Sequence, residues 1–141
     1  MMNLTLARAS TAFLFVSSLL AGRALAEGPP YTVSAVVPAA KVGAAASAHI
    51  EIKPAAGYHV NKDFPTSLKL VAPAGVDLPK AKLAKGDAGV KVEEKEAGFD
   101  VPFTVKEAGK KTITGQLSFA VCTETSCVPQ KTQVSINVEA K

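Results

Sequence analysis

The chain has 141 residues, of which 48% are hydrophobic, 20% are charged and 6% are aromatic. This length allows one ordinary domain, and the composition excludes a collagen-like, coiled-coil or wholly disordered chain. The formal net charge is only +4, and no block of Lys and Arg is interleaved with aromatic residues. Nucleic acid is therefore not an expected partner.

The first 26 residues have the features of a secretory signal peptide. Arg8 supplies a positive start, an apolar stretch covers residues 9–21, and Ala24-Leu25-Ala26 fits the small-x-small cleavage pattern. The apolar stretch is shorter than the roughly 20 residues that a membrane-spanning helix needs. We predict a cleaved signal peptide at 1–26, with an uncleaved anchor as the alternative, and an exported domain at 27–141 without a membrane span. That domain would keep 14 Lys against 12 acidic residues, a net charge of +2, which indicates no particular partner.

Alternation of apolar and polar residues predicts several short strands. It is clearest over residues 112–121, where every second residue is apolar or Gly. Similar alternation covers residues 31–37, 48–52, 68–70, 99–105 and 134–138, and a weaker example covers 90–92. Pro and Gly separate these segments, and no window of twelve residues carries a helical apolar stripe. The sequence therefore predicts an all-β fold, an antiparallel β-sandwich.

Three segments carry more specific expectations. Pro102 cannot donate a ladder hydrogen bond, so it places the strand at 99–105 at an edge or a bulge. The Ala-rich segment 39–48 contains Gly43, and we interpret it as a loop that enters a strand. The segment 80–95 is rich in Lys, Glu and Gly. We interpret it as a solvated hairpin, with a mobile loop near a site as the alternative.

The two cysteines, Cys122 and Cys127, form a C-x4-C pair between the clearest strand and the next one. The pair spans the turn of a hairpin-like connection, and two nearby cysteines in an exported protein are expected to oxidise. A bridge that closes about six residues stabilises a fold by only about 2 kcal/mol in the chain-entropy model, and exposed bridges tend to be labile. Because C-x4-C is not the C-x-x-C redox signature, the spacing leaves a structural and a redox-active disulfide both open.

The run from Leu117 to Thr132, LSFAVCTETSCVPQKT, resembles the active-site hairpin of the N-terminal domain family of the thiol:disulfide interchange protein DsbD. Two other stretches are similar, in the same order, to that family's early Gly-aromatic strand and to its Pro-containing strand. These are Gly57-Tyr58-His59-Val60-Asn61 and Phe99-Asp-Val-Pro-Phe-Thr-Val105. The resemblance extends from about Tyr31 to Val138 and implies an immunoglobulin-like β-sandwich located in the periplasm.

The resemblance also implies thiol:disulfide interchange activity without a cofactor. Cys122 and Cys127 would be the redox pair, Cys127 would face the partner, and a cap loop would fall at 85–96. A thioredoxin-fold or membrane thiol reductase, as a separate protein, would donate electrons, and periplasmic disulfide proteins would accept them. The chain departs from the family in two places, because the cap segment has no aromatic residue and Val128-Pro129 stands where two prolines are frequent.

Five further residues are candidate neighbours of the cysteines. Tyr58 is either a core residue or a wall of the site, and His59 is either near the sulfurs or at an ordinary surface position. Asp87 would belong to the cap. Glu124 lies inside the hairpin loop, where its charge would raise the pKa of a thiol, and Pro129 follows the second cysteine.

Two other functions stay open on the sequence alone, so whether the chain is an enzyme is uncertain. A non-catalytic exported immunoglobulin-like binding module would use the bridge as a structural link. Capture of Cu(I) would need Cys122, Cys127 and His59 as three ligands at distances that the sequence does not give. We therefore expect no metal site.

Overall fold

The computed structural model describes residues 28–141, and the predicted signal peptide at 1–26 lies outside the described residues. The described part is built from strands and contains no helix that is long and apolar enough to cross a membrane. In chain order the strands are β1 (Tyr31–Val36), β2 (Ala45–Pro54), β3 (His59–Val60), β4 (Ser67–Val71), β5 (Val76–Asp77), β6 (Lys82–Ala84), β7 (Val90–Val92), β8 (Ala97–Val105), β9 (Gly109–Cys122) and β10 (Cys127–Ala140).

The strands form two antiparallel sheets that face each other. The first sheet has the order β1-β2-β8-β5, and β7 also pairs with β8. The second sheet has the order β10-β9-β4-β6, and β3 also pairs with β9. The predicted all-β fold, an immunoglobulin-like antiparallel β-sandwich, is confirmed.

The core lies between the sheets and takes every second residue of the long strands. The buried residues of β8 and β9 on this inner face include Phe99, Val101, Phe103, Val105, Ile113, Leu117, Phe119 and Val121. The ring of Tyr31 in the first sheet meets the ring of Phe119 in the second sheet edge-on, with centroids 4.8 Å apart. The alternation in the sequence thus follows from the pleat, which turns successive side chains to opposite faces.

The prediction that Pro102 marks an edge strand or a bulge is wrong. β8 is an interior strand that pairs with β2 on one side and with β7 and β5 on the other. On that second side the N–H groups of Asp100 and Lys106 donate to the carbonyls of Gly89 and Gly75, at 2.8 and 2.7 Å. Since N–H groups alternate along a strand, the Pro102 nitrogen faces the gap between β7 and β5, where no ladder bond is lost.

The interpretation of residues 80–95 as a solvated hairpin is also wrong. β6 pairs with β4 in the second sheet, whereas β7 pairs with β8 in the first, so the segment crosses between the sheets. Its few apolar residues drive this crossing, because Leu83 is buried opposite Leu68 and Val90 and Val92 pack against the core. The Ala-rich segment enters β2 through a turn around Gly43, as predicted.

Candidate functional site

Cys122 and Cys127 form a disulfide bond at the tip of the β9–β10 hairpin. They are the last register pair of the two strands, and their Cα atoms lie 4.0 Å apart. The four loop residues between them close on themselves, since the Thr123 N–H donates to the Ser126 carbonyl at 2.7 Å. The expected meeting of the two sulfurs is confirmed, and the bond lies at the end of the sheet.

The two cysteines differ in burial because they occupy different positions in the sheet. Cys122 is only 2% exposed and has strands on both sides, with His59 of β3 as one register partner and Cys127 as the other. Cys127 belongs to β10, which is the edge strand of this sheet, and it is exposed. Cys127 is therefore the residue of the pair that a reagent in solution reaches.

β3 extends the second sheet alongside the disulfide. His59 and Val60 pair with the last two residues of β9. The next residue, Asn61, donates its backbone N–H to the Ala120 carbonyl at 2.9 Å, and the Val60 N–H turns the other way to the Glu94 carbonyl at 2.8 Å. The strand is thus held between β9 and the segment that follows β7.

The structure brings four of the five candidate neighbours to this end of the sheet. The exposed side chain of His59 is in register with Cys122, and Glu124 is exposed in the hairpin loop. Pro129 is exposed on β10, two residues from Cys127. Tyr58 immediately precedes β3 and is 37% exposed, so it is not a core residue. What these residues do at the site stays a prediction.

Asp87 makes its polar contacts away from the cysteines. Its carboxylate pairs with the Lys80 ammonium at 2.8 Å and accepts the Ala84 N–H at 2.8 Å. The hydrogen bond from Lys80, and then that from the Ala84 backbone, hold the pKa of Asp87 below its ordinary value. Asp87 therefore stabilises the turn between β6 and β7.

The segment 85–96, where the family resemblance places a cap, lies beside β3. The Glu94 carboxylate pairs with the Lys62 ammonium at 3.3 Å, and the Lys85 ammonium donates to the Lys62 carbonyl. β3 stands between this segment and β9, and Cys127 lies on the opposite side of β9. The segment leaves Cys127 exposed.

Asn61 contacts the disulfide but was not among the predicted site residues. Its Nδ2 donates to the Cys127 Sγ at 3.8 Å, and its Oδ1 accepts the Asp63 N–H at 2.9 Å. The second bond forms an Asx turn, for which an Asn at the end of a strand is a sequence signal. That signal predicts the turn, but the sulfur contact depends on the pairing of β3 with β9.

The Cu(I) alternative would use Cys122, Cys127 and His59 as ligands. Among residues 28–141, no group of three or more His, Cys, Asp and Glu side chains is placed to hold a metal ion. His59 is in register with Cys122, but the two sulfurs are bonded to each other, and cysteine binds metals as the thiolate.

The fold and the bridge together define a class of protein, an immunoglobulin-like β-sandwich domain with an accessible disulfide at a hairpin tip. The family model for the N-terminal domain of the thiol:disulfide interchange protein DsbD matches residues 29–139. The chain belongs to this family of periplasmic domains. No curated protein matches the chain.

Three solved structures that are similar to the chain are distant from it in sequence. The AggA major subunit of aggregative adherence fimbriae type I from Escherichia coli is 14% identical, with a TM-score of 0.44 over 79% of this chain and 95% of that one. A conjugative transposon lipoprotein from Bacteroides eggerthii is 11% identical, with a TM-score of 0.43 over 79% of this chain and 98% of that one. A PapD-like domain of human CEP192 is 12% identical, with a TM-score of 0.37 over 92% and 98%. None of these similarities indicates a function.

Proposed function

We propose that the domain carries out thiol:disulfide exchange in the periplasm, passing electrons from a reductant protein to acceptor disulfide proteins through Cys122 and Cys127. The observation that carries the proposal is the unequal burial of the pair, with Cys127 exposed on an edge strand and Cys122 only 2% exposed beside it. An exchange site needs one sulfur that partners can reach and a second that can release them. Membership of the DsbD N-terminal family supports the same chemistry.

Electrons enter when a donor thiolate attacks the Sγ of Cys127. The disulfide breaks, its electron pair leaves on the Sγ of Cys122 as a thiolate, and a mixed disulfide joins the donor to Cys127. A second donor thiolate then attacks the donor sulfur of that mixed disulfide and releases Cys127 as a thiolate. The domain has gained two electrons, and the donor leaves with a disulfide of its own.

Electrons leave by the same steps in reverse. The Cys127 thiolate attacks an acceptor disulfide, forms a mixed disulfide and releases one acceptor thiolate. The Cys122 thiolate then attacks the Sγ of Cys127, the bridge closes again, and the second acceptor thiolate departs. Since the two Cα atoms are 4.0 Å apart in one strand register, this closing step needs no rearrangement of the sheet.

The surface around the bridge also suits visiting proteins. Val128, next to Cys127, is 49% exposed, and Tyr58, next to His59, is 37% exposed. Exposed apolar side chains beside a polar reactive group are typical of contact surfaces. We propose a thioredoxin-fold or membrane thiol reductase as the donor and periplasmic disulfide proteins as the acceptors.

Trapping of mixed disulfides tests the proposal. The Cys122→Ala variant keeps Cys127 and loses the sulfur that would release a partner. It should displace thionitrobenzoate and accumulate a covalent adduct with a thioredoxin-fold protein whose second active-site cysteine is replaced by Ala and whose first cysteine carries thionitrobenzoate as a mixed disulfide. The matched Cys127→Ala variant keeps only the buried sulfur and should trap at least about tenfold more slowly. Non-reducing gels with mass spectrometry measure both rates.

One result would overturn the proposal, and another would overturn the assignment of the partner-facing sulfur. If neither variant forms an adduct, and the native bridge also stays oxidised beside a reduced thioredoxin-fold protein, the bridge is a structural link of a binding module. If Cys122 traps faster than Cys127, the assignment of the partner-facing sulfur is wrong.

A further inference from the structure

The side-chain amide of Asn61 faces the exposed sulfur of the bridge. Its Nδ2 lies 3.8 Å from the Sγ of Cys127, a distance at which an N–H donates to a large sulfur acceptor. Within residues 28–141, this is the only side-chain hydrogen bond made to either cysteine sulfur. Asn61 itself is half-buried beside the end of β9.

The orientation of this amide is fixed by its other atom. Amide oxygen and nitrogen are hard to distinguish by shape alone, but the Oδ1 of Asn61 accepts the backbone N–H of Asp63 at 2.9 Å. A backbone N–H can only be met by the oxygen, so the nitrogen must point to Cys127. The main chain is held too, because the Asn61 N–H donates to Ala120 and its carbonyl accepts the Phe64 N–H at 3.3 Å.

Charged and titratable side chains also lie on the elements around the bridge. They are Tyr58 before β3, His59 on it, Lys62 and Asp63 after it, Glu124 in the hairpin loop and Lys131 on β10. Lys62 is paired with Glu94, and in the described part of the chain none of these six side chains hydrogen-bonds to a sulfur. A thiolate at Cys127 would therefore have a neutral, prearranged amide as its donor.

We propose that Asn61 is a positioning residue that donates its Nδ2–H to the Cys127 thiolate in the reduced protein and so favours the nucleophilic form. This role rests on the proposed exchange function. A hydrogen bond to the charged form of a group favours that form, and a donor that is already fixed needs no reorganisation when the charge appears. The thiol proton goes to solvent, and a larger fraction of Cys127 is then reactive at neutral pH.

Alkylation of the chemically reduced domain tests this role without any partner protein. The rate of iodoacetamide addition to Cys127 is followed against pH by peptide mass spectrometry. Asn61→Asp puts a negative oxygen where the donor stood, so we expect the pH midpoint to rise by about one unit and the rate at pH 7 to fall about tenfold. Asn61→Ala only removes the donor, and we expect a rise of about half a unit and a threefold loss.

Asn137→Asp is the matched control. Asn137 lies on the same strand ten residues from Cys127, roughly 33 Å away at the usual rise per residue. Its Oδ1 also accepts a hydrogen bond, from the Thr112 hydroxyl at 3.0 Å. The same change of charge at this distance should leave the midpoint within about 0.2 units of the unaltered chain.

A purely structural role for Asn61 predicts the opposite order. An Asp at this position can still accept the Asp63 N–H and keep the turn, so Asn61→Asp would behave like the unaltered chain and Asn61→Ala would be the impaired variant. That result, or an identical midpoint in all variants, would overturn the proposal. Either outcome leaves the exchange function intact, because mixed-disulfide trapping tests that function independently.

Discussion

The middle and the tip of the β9–β10 hairpin have very different surroundings although the same two strands form both. In the middle, Leu117 and Phe119 are fully buried, with strands on both sides of β9 and the first sheet over its inner face. At the tip, Cys127 and Val128 are exposed, and only Cys122 of the bridge is buried.

The residues that stabilise the fold lie in the middle of the hairpin, and the disulfide proposed to react lies at its tip. Burial of apolar side chains is the dominant favourable term in folding, and it is concentrated in the middle of the hairpin. The bridge closes a short loop at an end where little packing depends on it. We expect a disulfide in that position to open and close while the sandwich stays folded, as the proposed exchange would require.

The largest expected loss of stability comes from removing a buried side chain in the middle of the hairpin. Phe119→Ala removes a fully buried ring that meets Tyr31 across the two sheets, and we expect a loss of about 3–5 kcal/mol in the free energy of unfolding. Urea denaturation measures it. Val128→Ala at the exposed tip is the control, with an expected change within about 0.5 kcal/mol. A loss below about 1 kcal/mol for Phe119→Ala would remove the contrast between the two regions.

Adding a methyl group where the middle of the hairpin is tightly packed should cause the next largest loss of stability. A Cβ at Gly115 would lie 2.9 Å from the Leu68 Cδ1 and 3.0 Å from the Val134 Cγ2, so Gly115→Ala should cost about 1–3 kcal/mol of stability. Gly98→Ala is the matched control, because its Cβ would come closer than 3.4 Å only to the exposed ring of His49. That ring can turn away at the cost of its exposed hydrogen bond to Asp100. Equal losses in both variants, measured by urea denaturation, would show that packing at Gly115 is looser than the distances indicate.

Opening the bridge should have a smaller effect. Reduction of Cys122–Cys127 removes a loop closure worth at most about 2 kcal/mol in the chain-entropy model. Urea denaturation with and without a phosphine reductant measures the difference, and the Cys122→Ala/Cys127→Ala double variant controls for other effects of the reductant. A loss as large as that of Phe119→Ala would make the bridge a structural requirement and would favour the binding module.

The smallest effect is expected in the turn between β6 and β7. Lys80 and the Ala84 N–H hold the pKa of Asp87 below its ordinary value of 3.8, so the ionised carboxylate stabilises the fold above that value and ceases to do so as the pH falls through its lowered pKa. Asp87→Asn should lower the melting temperature at pH 7 by no more than about 2 °C, since exposed ion pairs contribute little. Thermal scans should show the difference shrinking as the pH falls below 3.8, and a difference that stays constant from pH 7 to low pH would exclude the charge as its cause.

The sequence predicts the long strands because residues two positions apart face the same side of a sheet, so a strand with one buried face has an apolar residue at every second position. The alternation over β9 and β10 therefore survives in the structure. The bond between Cys122 and Cys127 was also predictable, because the two cysteines are five positions apart in one short connection.

Contacts between distant segments were not predictable in this way. β3 and β6 have two and three residues, too few to show any period, and their places are decided by pairing with β9 and β4. The contact of Asn61 with Cys127 joins residues 66 positions apart and exists only because β3 pairs with the end of β9. The prediction for Pro102 was wrong because its nitrogen faces a gap between β7 and β5. These two strands are too short for the sequence to show where they pair.

The reduction potential of the Cys122–Cys127 bridge tests the exchange function most directly. It is obtained by equilibrating the domain at residues 27–141 with glutathione or dithiothreitol redox buffers and quantifying the free thiols. We expect a value between about −200 and −270 mV, in the range of proteins that exchange disulfides with partners. A value below about −300 mV would mark a permanently closed structural disulfide and would contradict the proposed function.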